Sequence, residues 1–100
     1  MRAIILLAAC GLVCAQVPDP AYEPLSRAYD ALRARDYDAA IAGFLKAIDA
    51  APQRASIRKD LGYTYLKTGE TELARDQFRD AMSMDPADTQ IALEYAPKVR

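Results

Sequence analysis

The chain has 100 residues and nearly balanced charge, with 13 Lys and Arg against 14 Asp and Glu and a net charge of −1. This length allows one small domain at most, and the charge balance gives no basic excess that would attract nucleic acid. Histidine, the usual general base near neutral pH and the commonest metal ligand, is absent. The composition therefore disfavours an enzyme, a cofactor and a metal site, and favours a small binding or structural protein.

The N-terminal segment, from Met1 to Ala15, has the pattern of a secretory signal. Arg2 supplies a positive charge, and an uninterrupted run of apolar or small residues follows from Ala3 to Val13. That run is much shorter than the about 20 apolar residues of a transmembrane helix, and a small residue ends it at Ala15. We expect residues 1–15 to be a signal peptide, which gives a secreted or periplasmic protein beginning at Gln16.

Two other interpretations of this segment stay open. Residues 7–10, Leu-Ala-Ala-Cys, resemble a bacterial lipoprotein box, in which Cys10 would be lipidated and would anchor the chain to a membrane. The third interpretation is an ordinary buried N-terminal helix. Cys10 and Cys14 are the only cysteines, and cleavage after Ala15 removes both. The exported chain would then depend on packing alone for its stability.

The rest of the chain is predicted to be helical. Residues 16–20 contain two prolines and form a linker. Four segments then carry apolar residues at the spacing of an amphipathic helix, with breaks at residues 35–36, 51–54, 68–69 and 85–86. No segment alternates with period two over the length of a strand, so the predicted fold class is all-α. The four apolar stripes are Leu25, Ala28, Tyr29 and Leu32; Tyr37, Ala40, Ile41, Phe44, Leu45 and Ile48; Ile57, Leu61, Tyr65 and Leu66; and Leu73, Ala74, Phe78, Ala81 and Met82.

These segments recur at one fixed offset, which equals the separation between Ala21 and Ala55. Two helix-turn-helix units of equal length therefore occupy residues 21–54 and 55–88. Residues 89–100 begin a third unit with Thr89 as the expected N-cap, and Pro97 ends it early, so this segment is a truncated third unit or a capping helix. The residues that recur at this repeat offset are Ala21, Tyr29, Leu32, Ala40, Phe44, Ala47 and Pro52, which reappear as Ala55, Tyr63, Leu66, Ala74, Phe78, Ala81 and Pro86.

The repeat resembles the tetratricopeptide repeat, whose period of about 34 residues matches this offset, over residues 21–88. Residues 21–54 keep only the second half of the family's signature and have Ala28 in place of its glycine, so their first helix is degenerate. The resemblance implies a right-handed α-solenoid of two repeats plus a short C-terminal helix, in which the first helix of each repeat lines a concave surface. The signature in residues 55–88 is Leu61-Gly62-x2-Tyr65, Ala74-x3-Phe78, Ala81 and Pro86, with Arg58 where the family usually has an aromatic residue.

The signature's small residues have a physical reason. Two helices approach to about 8–10 Å only where the side chains at their crossing are small. We therefore expect each small residue of a first helix to face one of its second helix, Ala28 on Ala40 and Gly62 on Ala74.

The concave surface is the candidate binding site. Helical spacing places two tyrosines and three cations there, an arrangement suited to a peptide with acidic residues or a free carboxylate. Some relatives bind peptide carboxylates through Lys, Asn and Arg, but Tyr29 and Tyr63 stand at the asparagine-like sites here, which argues against that clamp. The alternative is a row of solvated side chains that flank the core. The predicted groove residues are Tyr22, Leu25, Tyr29, Arg33, Ser56, Lys59, Tyr63 and Lys67.

Two pairs of acidic residues have a structural interpretation. Asp36 and Asp38, like Glu70 and Glu72, lie where a second helix begins. Carboxylates interact favourably with the helix dipole at that end, so we do not assign these pairs to acid–base catalysis.

The sequence thus predicts an exported tetratricopeptide interaction module or scaffold that binds a protein or peptide partner. It predicts no nucleic-acid partner, no cofactor, and no catalytic or metal-binding residues. One alternative is a structural unit that self-assembles through its open repeat ends, as a weak homodimer or a larger homo-oligomer. Another is an envelope assembly factor that Cys10 anchors through a lipid.

Overall fold

The chain folds as a series of consecutive helices, in a computed structural model that describes residues 18–95. The described residues contain helices and connections and no strand, which confirms the predicted all-α class. The predicted signal peptide, Cys10 and Pro97 lie outside the described residues. No helix within residues 18–95 is long and apolar enough to cross a bilayer. The helices are α1 (Tyr22–Arg33), α2 (Tyr37–Ala50), α3 (Ala55–Lys67), α4 (Thr71–Met84) and α5 (Thr89–Tyr95).

Each helix packs on the next one along the chain, from α1 on α2 to α4 on α5. This order of contacts produces an α-solenoid in which α1 with α2, and α3 with α4, are the two repeats and α5 is the first helix of a third. The core between them consists largely of alanines with a few large side chains. Ala28, Ala40, Ala47, Ala74, Ala81, Phe44, Phe78, Ile57, Leu61 and Ile91 are at most 2% exposed.

The turn within each repeat depends on a left-handed residue at one position of the repeat. Arg35 has a φ of 61°, and Gly69, which occupies the equivalent position of the second repeat, has a φ of 80°. After Arg35, the N–H of Asp36 donates to the carbonyl of Ala31 at 2.8 Å, and the equivalent bond after Gly69 is 2.9 Å. This is the Schellman arrangement, which closes a helix and reverses the chain. Glycine adopts this backbone readily, whereas the arginine at position 35 gives no signal for it in the sequence.

A tyrosine and a phenylalanine meet edge to face in both repeats. The rings of Tyr29 and Phe44 are 5.3 Å apart at 80°, and those of Tyr63 and Phe78 are 5.1 Å apart at 70°. Such T-shaped pairs stabilise beyond the area that they bury. Each pair joins the first helix of a repeat to its second helix, and thereby connects the concave surface to the core.

Two glycines leave room for close neighbours between paired helices, and the neighbour of Gly62 differs from the predicted one. A Cβ at Gly62 would lie 2.7 Å from the ring of Phe78, so the neighbour that requires glycine is Phe78 rather than Ala74. In the first repeat, a Cβ at Gly43 would lie 2.9 Å from the Cβ of Ala28. Gly43 therefore makes room for Ala28.

The outward face of α1 is charged. Ile57 and Leu61 are buried in α3, but the residues at the same repeat positions of α1 are Glu23 and Arg27. These two side chains are exposed and lie 3.8 Å apart as an ion pair. Terminal units of solenoids carry such polar faces because no neighbouring repeat covers them. Glu23 and Arg27 therefore give this face of the first repeat the polar character of a solenoid end.

At the other end, α5 docks as the first helix of a third repeat would. Ile91 is 1% exposed and occupies the repeat position of Ile57. The helix is capped by Asp88, whose carboxylate accepts from the N–H groups of Gln90 at 2.9 Å and Ile91 at 3.2 Å. Asp88, and not the predicted Thr89, is thus the capping side chain.

The contact of Gly62 with Phe78 gives a test of the close helix approach. We expect Gly62→Ala to lower the free energy of unfolding, since overpacking costs about 1–3 kcal/mol and exceeds the about 1 kcal/mol that alanine gains over glycine in a helix. Phe78→Leu makes room for the added methyl group. Urea denaturation should therefore show that the double variant loses less free energy of unfolding than the two single variants lose together.

Gly43→Ala combined with Phe78→Leu is the matched control. Gly43 contacts Ala28 and not Phe78. The losses in free energy of unfolding caused by Gly43→Ala and by Phe78→Leu should therefore add within about 0.5 kcal/mol. Additive costs for Gly62→Ala with Phe78→Leu would show that the Phe78 ring does not limit the approach at Gly62.

Candidate functional site

A groove of about 370 Å³ runs along α1. Tyr22, at its N-terminal end, is 66% exposed, while Leu25 and Tyr29 are half-buried and form its floor. The structure therefore brings together the four predicted groove residues of the first repeat. The groove is lined by Asp19, Tyr22, Leu25, Ser26, Tyr29 and Arg33.

The groove residues of α3 occupy the same repeat positions as those of α1. Ser56 and Lys67 are exposed at the two ends of α3, whereas Lys59 and Tyr63 are half-buried. Leu93 in α5 extends this surface, since it occupies the repeat position of Lys59, and it is 71% exposed. The sequence analysis missed Leu93, although the repeat offset applied once more would have found it.

The hydroxyl of Tyr29 joins α1 to α3. It donates a hydrogen bond to a carboxylate oxygen of Asp60. Burial raises the pKa of Tyr29, and its hydrogen bond to the negatively charged Asp60 raises that pKa further. The hydroxyl is therefore engaged within the protein, and Tyr29 offers a ligand mainly its ring.

Lys59 is also engaged. Its ammonium group donates to Asp88 at 2.8 Å, and the two side chains are 21% and 20% exposed. This hydrogen bond raises the pKa of Lys59 and lowers the pKa of Asp88. The pair connects α3 to the residue that caps α5. Lys59, predicted to bind a ligand, therefore holds α5 in place.

The other two predicted cations differ from each other. Arg33 donates to Asp30 one turn earlier on α1, in an exposed ion pair. Lys67 forms no ion pair with any residue between 18 and 95. Two of the three groove cations are thus neutralised by neighbouring carboxylates, which the sequence pattern did not indicate.

The end of the predicted linker is fixed at the edge of the groove. Both carboxylate oxygens of Asp19 accept from the guanidinium group of Arg54, each at 3.2 Å. Asp19 also accepts from the N–H of Ala21 at 3.0 Å. The bonds from Arg54 and Ala21 lower the pKa of Asp19. Asp19 therefore attaches the segment directly before α1 to Arg54, at the start of α3.

Two of the four acidic residues at the starts of the second helices have local partners. Asp36 caps α2 by accepting from the N–H of Ala39 at 3.2 Å, and Glu70 accepts from the hydroxyl of Thr68 at 3.1 Å. In the described part of the chain, no three Cys, Asp or Glu side chains are grouped so that they could hold a metal ion.

Comparison with known proteins identifies one family. The family model of the tetratricopeptide repeat matches residues 31–94, which is more than half of the chain. No curated protein shows significant similarity to the chain. The match includes both second helices and the whole of α3.

The Lys59–Asp88 pair predicts a pH dependence of stability. The pKa of Asp88 lies below its ordinary value of 3.8, so its contribution to stability is present above that value and is lost as the pH falls through the lowered pKa. The pKa of Lys59 lies above 10.5, so its contribution is present below that value and is lost as the pH rises through the raised pKa. The pair thus stabilises the fold between these limits.

Asp88→Asn removes the charge but keeps an oxygen that can cap α5. We expect a lower urea midpoint than for the unmodified protein near neutral pH, and a difference that narrows as the pH falls below about 3.8. Asp85→Asn is the control, because the Asp85 side chain bonds to no other described residue. A difference that stays constant down to acidic pH would contradict a charge-based role of Asp88.

Proposed function

We propose that this chain, which belongs to the tetratricopeptide repeat family, is an exported interaction module that binds a segment of another protein in its concave groove. Repeats of this family generally serve protein–protein interaction rather than catalysis. What supports the proposal most is the exposed Tyr22 over the apolar floor of Leu25 and Tyr29. A large aromatic side chain that stays exposed beside a groove is typical of an interaction site.

The two faces of α1 support binding in the groove over stacking of repeat ends. The face of α1 that another repeat would cover carries Glu23 and Arg27, and stacking would remove this exposed ion pair from water. The groove face carries Tyr22 and Leu25 instead. Homodimerisation therefore stands as the second candidate, and the exposed Leu93 at the α5 end is what favours it.

Export is proposed from residues 1–15 alone. Their short apolar run and small end favour cleavage after Ala15, with a lipid anchor at Cys10 as the alternative. The intact mass of the protein recovered outside the cytoplasm should correspond to a chain that begins at Gln16. A lipidated chain beginning at Cys10 would support membrane anchoring, and a full-length cytoplasmic chain would contradict export in either form.

Photo-crosslinking tests the groove as the binding site. A photoreactive phenylalanine at position 22 lies in the groove, whereas the same residue in place of Leu45 lies on α2, where the leucine is 45% exposed. In the cells that make the protein, we expect a discrete heavier product from position 22 and none from position 45. Equal products from both positions, or none from position 22, would contradict the proposal.

A further inference from the structure

Two of the three predicted groove cations are paired with carboxylates, while Lys67, exposed at the C-terminal end of α3, forms no ion pair within residues 18–95. Asp88 neutralises Lys59 and Asp30 neutralises Arg33, while Asp60 accepts a hydrogen bond from the hydroxyl of Tyr29. If Lys59 turned to a ligand carboxylate, the partly buried Asp88 would lose its partner, at a cost that offsets the new bond. The Arg33–Asp30 pair is exposed and contributes little to this argument, because water screens it. The centre of the groove is thus poorly suited to an acidic ligand.

The groove is apolar at its two ends instead. Tyr22 and Leu93 are the most exposed of the large apolar side chains among the described residues, at 66% and 71%. Leu25 and Leu93 occupy the same position of the repeat, with Lys59 between them in α3. One surface therefore presents two apolar sites, Tyr22 with Leu25 on α1 and Leu93 on α5, on either side of a neutralised polar centre.

We propose that the occupant of this groove is an extended, uncharged peptide segment with two apolar side chains, one for each end. This inference rests on the proposed function and adds the chemical class of the ligand. It departs from the acidic ligand that the sequence pattern suggested, because the ion pairs of Lys59 and Arg33 already satisfy those cations.

The spacing of the two apolar side chains follows from the arrangement of the helices. The Tyr29–Asp60 bond joins α1 to α3, and the Lys59–Asp88 bond joins α3 to the residue that precedes α5. Helices in contact lie about 10 Å apart, so two steps across the surface span about 20 Å. Because an extended chain rises about 3.3 Å per residue, the two apolar side chains should stand about six residues apart.

A random peptide library displayed on phage, selected on the purified chain, tests the inference. We expect the enriched sequences to carry two large apolar residues about six positions apart, with few Asp or Glu between them. Synthetic peptides of these sequences should bind with a Kd that changes little between low and high salt, because no net charge is neutralised.

Three variants assign the binding to the groove. Tyr22→Ser and Leu93→Ser should each weaken the selected peptides about tenfold, since each removes one apolar contact. Leu73→Ser is the matched control, because Leu73 is 42% exposed on α4, away from the first helices. Thermal unfolding should show the same fold in all three, since each substituted side chain is already exposed.

The other outcomes separate this inference from the proposed function. Enrichment of acidic or carboxylate-terminated peptides, with salt-sensitive binding at Tyr22, would overturn the uncharged ligand and leave the groove as a binding site. Peptides that are insensitive to Leu93→Ser would overturn the second apolar site. A different result would be sedimentation as a dimer for the unmodified protein and as a monomer for Leu93→Ser. This result would show that a second copy of the chain, and not a peptide, covers Leu93. No enrichment at all, or peptides indifferent to both variants, would contradict the proposed function as well.

Discussion

The close approach of paired helices is the constraint on which the rest of this small solenoid depends. Gly62 leaves room for the Phe78 ring, and Gly43 leaves room for Ala28, so each repeat has a glycine where its two helices meet closely. In a chain this short the buried surface is limited, and many close contacts must replace a large core. The approach also fixes the rings of Tyr29 and Tyr63 against the core, which places the floor of the concave surface.

The ion pairs that neutralise the groove have a structural purpose that competes with ligand binding. Lys59 holds Asp88, and Asp88 caps α5, so the same contact that removes a cation from the groove attaches the third helix row. The Tyr29–Asp60 bond connects α1 with α3 in a similar way. A two-repeat solenoid has few contacts between its first helices, and it uses polar groove side chains to make them. Apart from Lys67, what it leaves exposed for a partner on this surface is therefore mainly apolar, at Tyr22 and Leu93.

The sequence alone predicted the repeat, the helices and most core positions. This was possible because the apolar residues that recur at the repeat offset and at helical spacing are largely the residues that become buried. It did not predict that Gly62 meets Phe78 rather than Ala74, since both residues are buried and periodicity does not say which pair crosses. It also did not predict the partner of Lys59, because contacts between successive repeats join residues with no fixed offset in the pattern. Leu93 was missed for a different reason: the segment after Asp88 was interpreted as a truncated third unit or a capping helix, and the groove positions were not extended into it.

The central claim is that the first helices of the repeats form one continuous binding surface. NMR chemical-shift mapping with a bound peptide tests it most directly, since backbone amide signals report on each helix separately. The account predicts that the largest shifts fall on α1, α3 and α5, around Tyr22, Leu25 and Leu93, with small shifts on α2 and α4. Shifts concentrated on α2 and α4, around Leu45 and Leu73, would contradict it.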